Sequence, residues 1–181
     1  MRHLILIMAL LPAWAQAHNI AICTGEYALC AASATTPTGR TMRVNGQTFR
    51  QGIAVCPILT GTAVANLDLM AGSCRARPHQ VWSLFGIPPL TEYPQAPTWN
   101  TLPAVARTFT IGETATTGIS NMWSFICDRQ AEPVNGVRLA TCRGPIQESP
   151  FTNGPVRPGE LGFTQAPAGA TWPVGGNAPQ P

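Results

Sequence analysis

Lysine is absent from this 181-residue chain; all eleven basic residues are arginines, set against eight acids. Charged residues of both signs make up only 10% of it, well under the usual quarter. The polar surface must therefore come from Thr, Ser, Asn, Gln, Gly and Pro, as in many secreted β-rich proteins. A formal net charge of +3 is too small to argue for nucleic acid or an anionic membrane as partner. No apolar run approaches the roughly 20 residues that span a bilayer, so no transmembrane segment is expected. Enzyme signatures are missing too. There is no G-x-S-x-G elbow, no H-E-x-x-H, and no glycine loop between a strand and a helix. Acids such as Glu26, Asp68, Glu92 and Asp128 are scattered without a pairing pattern.

What is there begins with an export signal. Met1-Arg2-His3 is a short basic start, Leu4 to Leu11 an apolar stretch, and Ala13-Trp14-Ala15-Gln16-Ala17 a small-residue cleavage region preceded by the helix breaker Pro12. Cleavage fits after Ala15 or after Ala17; the second is preferred and makes His18 the new N-terminus. The expected organisation is a signal peptide over 1–17, one secreted or periplasmic β-rich domain over 18–163, and an extended Pro/Gly-rich tail over 164–181.

Cys23, Cys30, Cys56, Cys74, Cys127 and Cys142 all follow the signal. An even number of cysteines in an oxidising compartment reads as three disulfides. Their spacings of 7, 26, 18, 53 and 15 contain no close pair of the kind a zinc knuckle uses. One bridge follows from register. If Pro133 to Gly136 form a four-residue loop between two strands, Glu132 faces Val137 and Cys127 faces Cys142. That register also puts Trp123, Phe125 and Cys127 on one strand face. A strict two-residue Asn135-Gly136 turn would instead set Arg129 opposite Cys142. The other four cysteines stay open: 23–30 with 56–74 is the most local pairing, and bridges from the first segment to Cys56 and Cys74 are equally consistent.

The fold class expected is mainly β, an antiparallel sandwich or barrel-like domain with one or two short helices. Asn45-Gly46 marks a two-residue hairpin that sets Met42 opposite Phe49 and Val44 opposite Gln47. Its second strand is expected to run on to Cys56, with a bulge at Gly52. Residues 80–85, 121–127 and 107–111 read as further strands, the last by period-two alternation. Thr24 to Ser33, with Thr24 as N-cap, and Thr62 to Met70, stopped at Gly72, read as short helices. The five prolines between Gly86 and Pro103 are expected to exclude regular structure there. Beyond Gly144, Phe151, Phe163 and Trp172 are spaced as anchors for an extended strap, with order reaching at least Phe163.

Two chemical readings remain. An N-terminal His18 offers its amine and imidazole to one metal ion, and His79 would complete a mononuclear copper site; copper is the only cofactor suggested. Trp82 and Trp123 lie in apolar strands and are expected in the core. Tyr93, Trp99 and Trp172 lie in Pro-rich segments where aromatics can form an exposed platform for carbohydrate or peptide. The leading expectation is a non-enzymatic binding or surface protein, with the copper protein as its alternative.

Overall fold

The computed structural model describes residues 19–44, 46–87, 92–95, 100–103, 107–110, 119–146 and 161–164. Among them the chain forms β1 (Ile20–Ala28), β2 (Ala32–Ala34), β3 (Thr36–Val44), β4 (Gln47–Asn66), β5 (Gln80–Trp82), β6 (Phe85–Gly86), β7 (Glu92–Gln95), β8 (Asn100–Pro103), β9 (Arg107–Thr110), β10 (Ile119–Asn121), β11 (Ile126–Arg129), β12 (Leu139–Pro145) and β13 (Leu161–Thr164). No helix occurs in the described residues, and none is long and apolar enough to cross a membrane.

Strand β4 organises the molecule. Its first half pairs with β3 on one edge and β12 on the other; its second half pairs with β1 and β6. The main path runs β1-β4-β12-β11-β5. Its two end strands then meet: Ala28 of β1 bridges Ser83 just after β5, and the Leu84 N–H donates to the Ala28 carbonyl at 3.1 Å. The antiparallel sheet is thus curled into a half-barrel, the barrel-like one of the two expected architectures.

The hairpin at residues 41–50 has the expected register, with Met42 opposite Phe49 and Val44 opposite Gln47. The bulge falls elsewhere than Gly52. It lies on β3, between Pro37 and Thr41, where the Thr38 hydroxyl donates to the Gln51 carbonyl at 3.2 Å. Gly52 instead permits a close approach. A Cβ there would lie 2.8 Å from Thr35 Oγ1, 2.9 Å from Thr35 Cβ and 3.0 Å from Ile146 Cγ1. Gly52→Ala is therefore expected to destabilise by about 1–3 kcal/mol through overpacking. Gly61→Ala is the control, because its Cβ would meet only Tyr27 Cε1, at 3.9 Å. Urea denaturation of the two variants checks this; equal midpoints would refute the steric account.

Neither expected helix forms, and the larger part of each is strand. Residues 20–28 form nine consecutive pairs with β4, from Ile20–Asn66 to Ala28–Ile58, and that ladder outweighs a weak local helix preference. β4 likewise continues through Thr62 to Asn66. The expected helix stop at Gly72 has no helix to end: β4 finishes at Asn66, and Leu67 to Gly72 form a tight turn in which the Met70 and Gly72 N–H groups both donate to the Leu67 carbonyl, at 3.1 and 2.9 Å.

The strand expected over 121–127 is interrupted. Met122 to Phe125 turn, with the Phe125 N–H donating to the Met122 carbonyl at 3.0 Å, so Trp123, Phe125 and Cys127 do not alternate along one strand. Ser124 holds the turn by accepting from the Asn66 N–H at 2.8 Å. The two Trp-Ser segments meet here, since the Ser124 N–H also donates to the Ser83 carbonyl at 2.7 Å.

Prolines do not exclude regular structure between 86 and 103: β7 and β8 form a ribbon in which Pro94 faces Thr101 and Pro103 faces Glu92. Both strands of a two-stranded ribbon are edges, where a missing N–H is tolerated. The strand expected at 107–111 is β9, paired with β13, where Phe163 faces Thr108. Residues 1–17, expected to be a signal peptide, Phe151 and residues 165–181 lie outside the described residues.

Three disulfides pin the sheet: Cys23–Cys74, Cys30–Cys56 and Cys127–Cys142. The bridges from the first segment to Cys56 and Cys74 are thus the observed pairing, not the local one. At Cys127–Cys142 the two registers weighed from the sequence coexist. The cysteines face each other, yet the tip is the two-residue Asn135-Gly136 turn closed by Val134 and Val137. Between Arg129–Ala140 and Val134–Val137 one strand carries four residues and the other two. The surplus on the Pro133 side absorbs the shift.

The core forms two clusters. One gathers Cys30, Cys56, Cys127, Cys142, Met122, Ile58 and Leu139; the other gathers Cys23, Tyr27, Leu29, Met70 and Leu84. Trp123 is buried as expected, and Trp82 is partly buried against the second cluster.

Candidate functional site

The half-barrel closes at the Ala28–Ser83 bridge, but no strand pairing joins β1 to β5 before it. A cleft of about 470 Å³ occupies this seam. Glu26 of β1, Gln80 and Val81 of β5, Arg129 of β11 and the segment Cys74 to His79 line it.

That segment, Cys74-Arg75-Ala76-Arg77-Pro78-His79, is fixed at both ends. Cys74 is bonded to Cys23 of β1, and Gln80 enters the β5–β11 pairing. Between them the Arg75 N–H donates to Ser73 Oγ at 3.0 Å, and the Gln80 N–H donates to the Arg77 carbonyl at 3.1 Å. His79 takes a left-handed conformation (φ 62), which turns the chain into β5 while its carbonyl accepts from the Arg129 N–H at 2.9 Å.

The electrostatics are uneven. Glu26 is the cleft's one carboxylate among the described lining residues, and it bridges two arginines: Arg129 Nη2 at 2.8 Å and Arg138 Nη1. The hydrogen bond from Arg138 holds the Glu26 carboxyl below its ordinary value; partial burial opposes this and Arg129 reinforces it. Arg129 is further oriented by its Nε–H, which donates to the Gln80 carbonyl at 3.0 Å. Arg75 and Arg77 are exposed and have no ion-pair partner among the described residues. On the other side of the β5–β11 pair, Asp128 accepts from Gln80 and Arg143, which lower its carboxyl in that order.

Of the residues singled out from sequence, the structure places His79 on the cleft wall, exposed. His18 lies outside the described residues; its neighbour Asn19 donates its N–H to Asp68 and accepts from the Leu67 N–H. Tyr93 stands on β7 opposite Leu102, while Trp99 and Trp172 lie outside the described residues. Glu26 and Arg129 escaped the sequence reading as cleft residues. Their positions depend on pairings 49 to 112 residues apart in sequence, which no local pattern announces. Arg75 and Arg77 were legible only as part of a surface loop around His79.

A second cluster bears on metal binding. The sulfurs of Cys30, Cys56 and Cys142 lie within 4.8 Å of one another in the core. All three are in disulfides, and a disulfide sulfur is not the thiolate that ligates zinc or copper. No protein-family model matches this chain, and no curated protein or solved structure matches it either.

Proposed function

We propose that this is an exported, non-enzymatic binding protein whose ligand sits in the seam cleft of the half-barrel. The single observation that carries this reading is the cleft itself. Roughly 470 Å³ of open space is walled by guanidinium and imidazole donors on a loop held by a disulfide and a strand. Concave sites with a few fixed polar groups are where small ligands bind, and a pre-ordered loop loses little entropy on binding. Its carboxylate, Glu26, is already committed to two arginines, which suits a structural part better than a general base. Export is supported by three disulfides, which persist in oxidising compartments.

Amide chemical-shift mapping with short acidic and neutral oligosaccharides and tripeptides tests this. The expected result is perturbation concentrated at residues 74–81, Glu26 and Arg129. A panel that leaves these signals unmoved, or moves only others, would remove the proposal.

A further inference from the structure

The cleft's charge and its occupied backbone together specify a class of ligand. Among the described residues, three guanidinium groups, Arg75, Arg77 and Arg129, line it against one carboxylate. That carboxylate takes Arg129 and Arg138, so Arg75 and Arg77 carry the excess positive charge. They stand two positions apart on a segment fixed by the Cys23–Cys74 bond and by β5. Guanidinium groups pair with carboxylate, sulfate and phosphate through parallel N–H donors, and Glu26 already shows a carboxylate spanning two of them at this seam.

The alternative of an added peptide strand is disfavoured at the same place. A peptide extending β5 needs free backbone groups on the strand's outer edge. At Gln80 the N–H is taken by the Arg77 carbonyl and the carbonyl by Arg129 Nε. At the other end of the seam the edge is closed by Ala28, Ser83 and Leu84. Recognition here therefore falls to side chains. None of the described lining residues is Phe, Tyr or Trp, so these residues offer no indole or phenyl face of the kind neutral sugars stack on, while they do carry the charge that acidic sugars need.

Resting on the cleft as the ligand site, we infer that it takes an acidic saccharide, a sugar chain carrying carboxylate or sulfate, bound by Arg75 and Arg77. The charged groups replace water around these two guanidinium groups, and Arg129, held by Glu26, lies beside them as a fixed third donor. His79 adds an imidazole on the same wall.

Titration calorimetry on the intact oxidised protein decides it, with trigalacturonate, its neutral methyl ester, a sulfated trisaccharide and triglutamate as probes. Trigalacturonate or the sulfated sugar is expected to bind, and affinity should fall as salt rises. The ester should bind at least about tenfold more weakly, and Arg75→Gln and Arg77→Gln should each weaken acidic-sugar binding about fivefold or more. Arg143→Gln, whose partner is Asp128 outside the cleft, should leave affinity within about twofold, as for an exposed pair away from the site. Amide spectra of each variant confirm that it is folded. Equal binding of ester and acid would overturn the charge inference while leaving the cleft reading intact. Tighter binding of triglutamate would replace the saccharide with an acidic peptide. Failure of every probe would end both.

Discussion

Replacing Cys30 and Cys56 together by alanine is expected to cost about 5 kcal/mol, the largest loss of the three disulfides. Chain entropy alone ranks them differently. The sequence separations are 51 for Cys23–Cys74, 26 for Cys30–Cys56 and 15 for Cys127–Cys142. These correspond to about 4, 3.5 and 3 kcal/mol of lost unfolded-state freedom. Packing reverses the first two. Cys30 and Cys56 are both fully buried, with Met122 Sδ 3.7 Å from Cys30 Sγ and Ser33 Oγ 3.8 Å from Cys56 Sγ. Deleting two sulfurs there leaves a cavity worth a further ~1–2 kcal/mol. Of the Cys23–Cys74 pair only Cys23 is buried, while Cys74 is exposed, so losing that bridge leaves a cavity at one sulfur and water at the other. Denaturant unfolding of the three double-alanine variants measures the order. A larger loss for Cys23/Cys74 than for Cys30/Cys56 would mean that chain entropy alone governs these bridges.

Trp123→Ala is expected to destabilise by about 3–5 kcal/mol. The indole is 4% exposed, its Nε1–H donates to the Val64 carbonyl at 2.7 Å, and its ring lies 6.2 Å from that of Phe85, centroid to centroid. The substitution removes apolar burial and the side-chain donor to the Val64 carbonyl of β4. It also loosens the Met122–Phe125 turn, whose other tie to β4 is the Asn66 to Ser124 hydrogen bond. Trp123→Phe separates the contributions. It keeps an aromatic ring and loses the donor, at about 1–3 kcal/mol. If the two variants lose the same amount, packing of the indole is not what holds the turn, and the hydrogen bond accounts for it.

The features legible from sequence share one property: each is set by residues close together in the chain. The Asn45-Gly46 hairpin and its register follow from a two-residue turn and alternating side chains, and Met42 faces Phe49 as that pattern requires. Cys127 faces Cys142 for a related reason, although the turn is the shorter one and an irregular four-residue stretch corrects the register. The misread segments share the opposite property. Residues 24–28 and 62–66 have weak local preferences, and their pairing with each other's distant strand determined their conformation. Residues 121–127 alternate in composition but turn at Ser124, because Asn66 and Ser83 offer it hydrogen bonds from far along the chain.

The same division runs through the candidate site. His79 and its arginine-rich loop are visible as a string of residues, and their exposure is no surprise for so polar a segment. Their meeting with Glu26 and Arg129 was not visible.

By itself, the sequence determined the β-rich class, the even set of six cysteines, one disulfide and one hairpin register, since composition and short-range stereochemistry suffice for these. Only the tertiary structure decided the curl of the sheet, the pairing of the other four cysteines and the cleft at its seam. These depend on which distant strands pair, and that is decided by burying apolar surface and satisfying backbone groups across the whole chain at once.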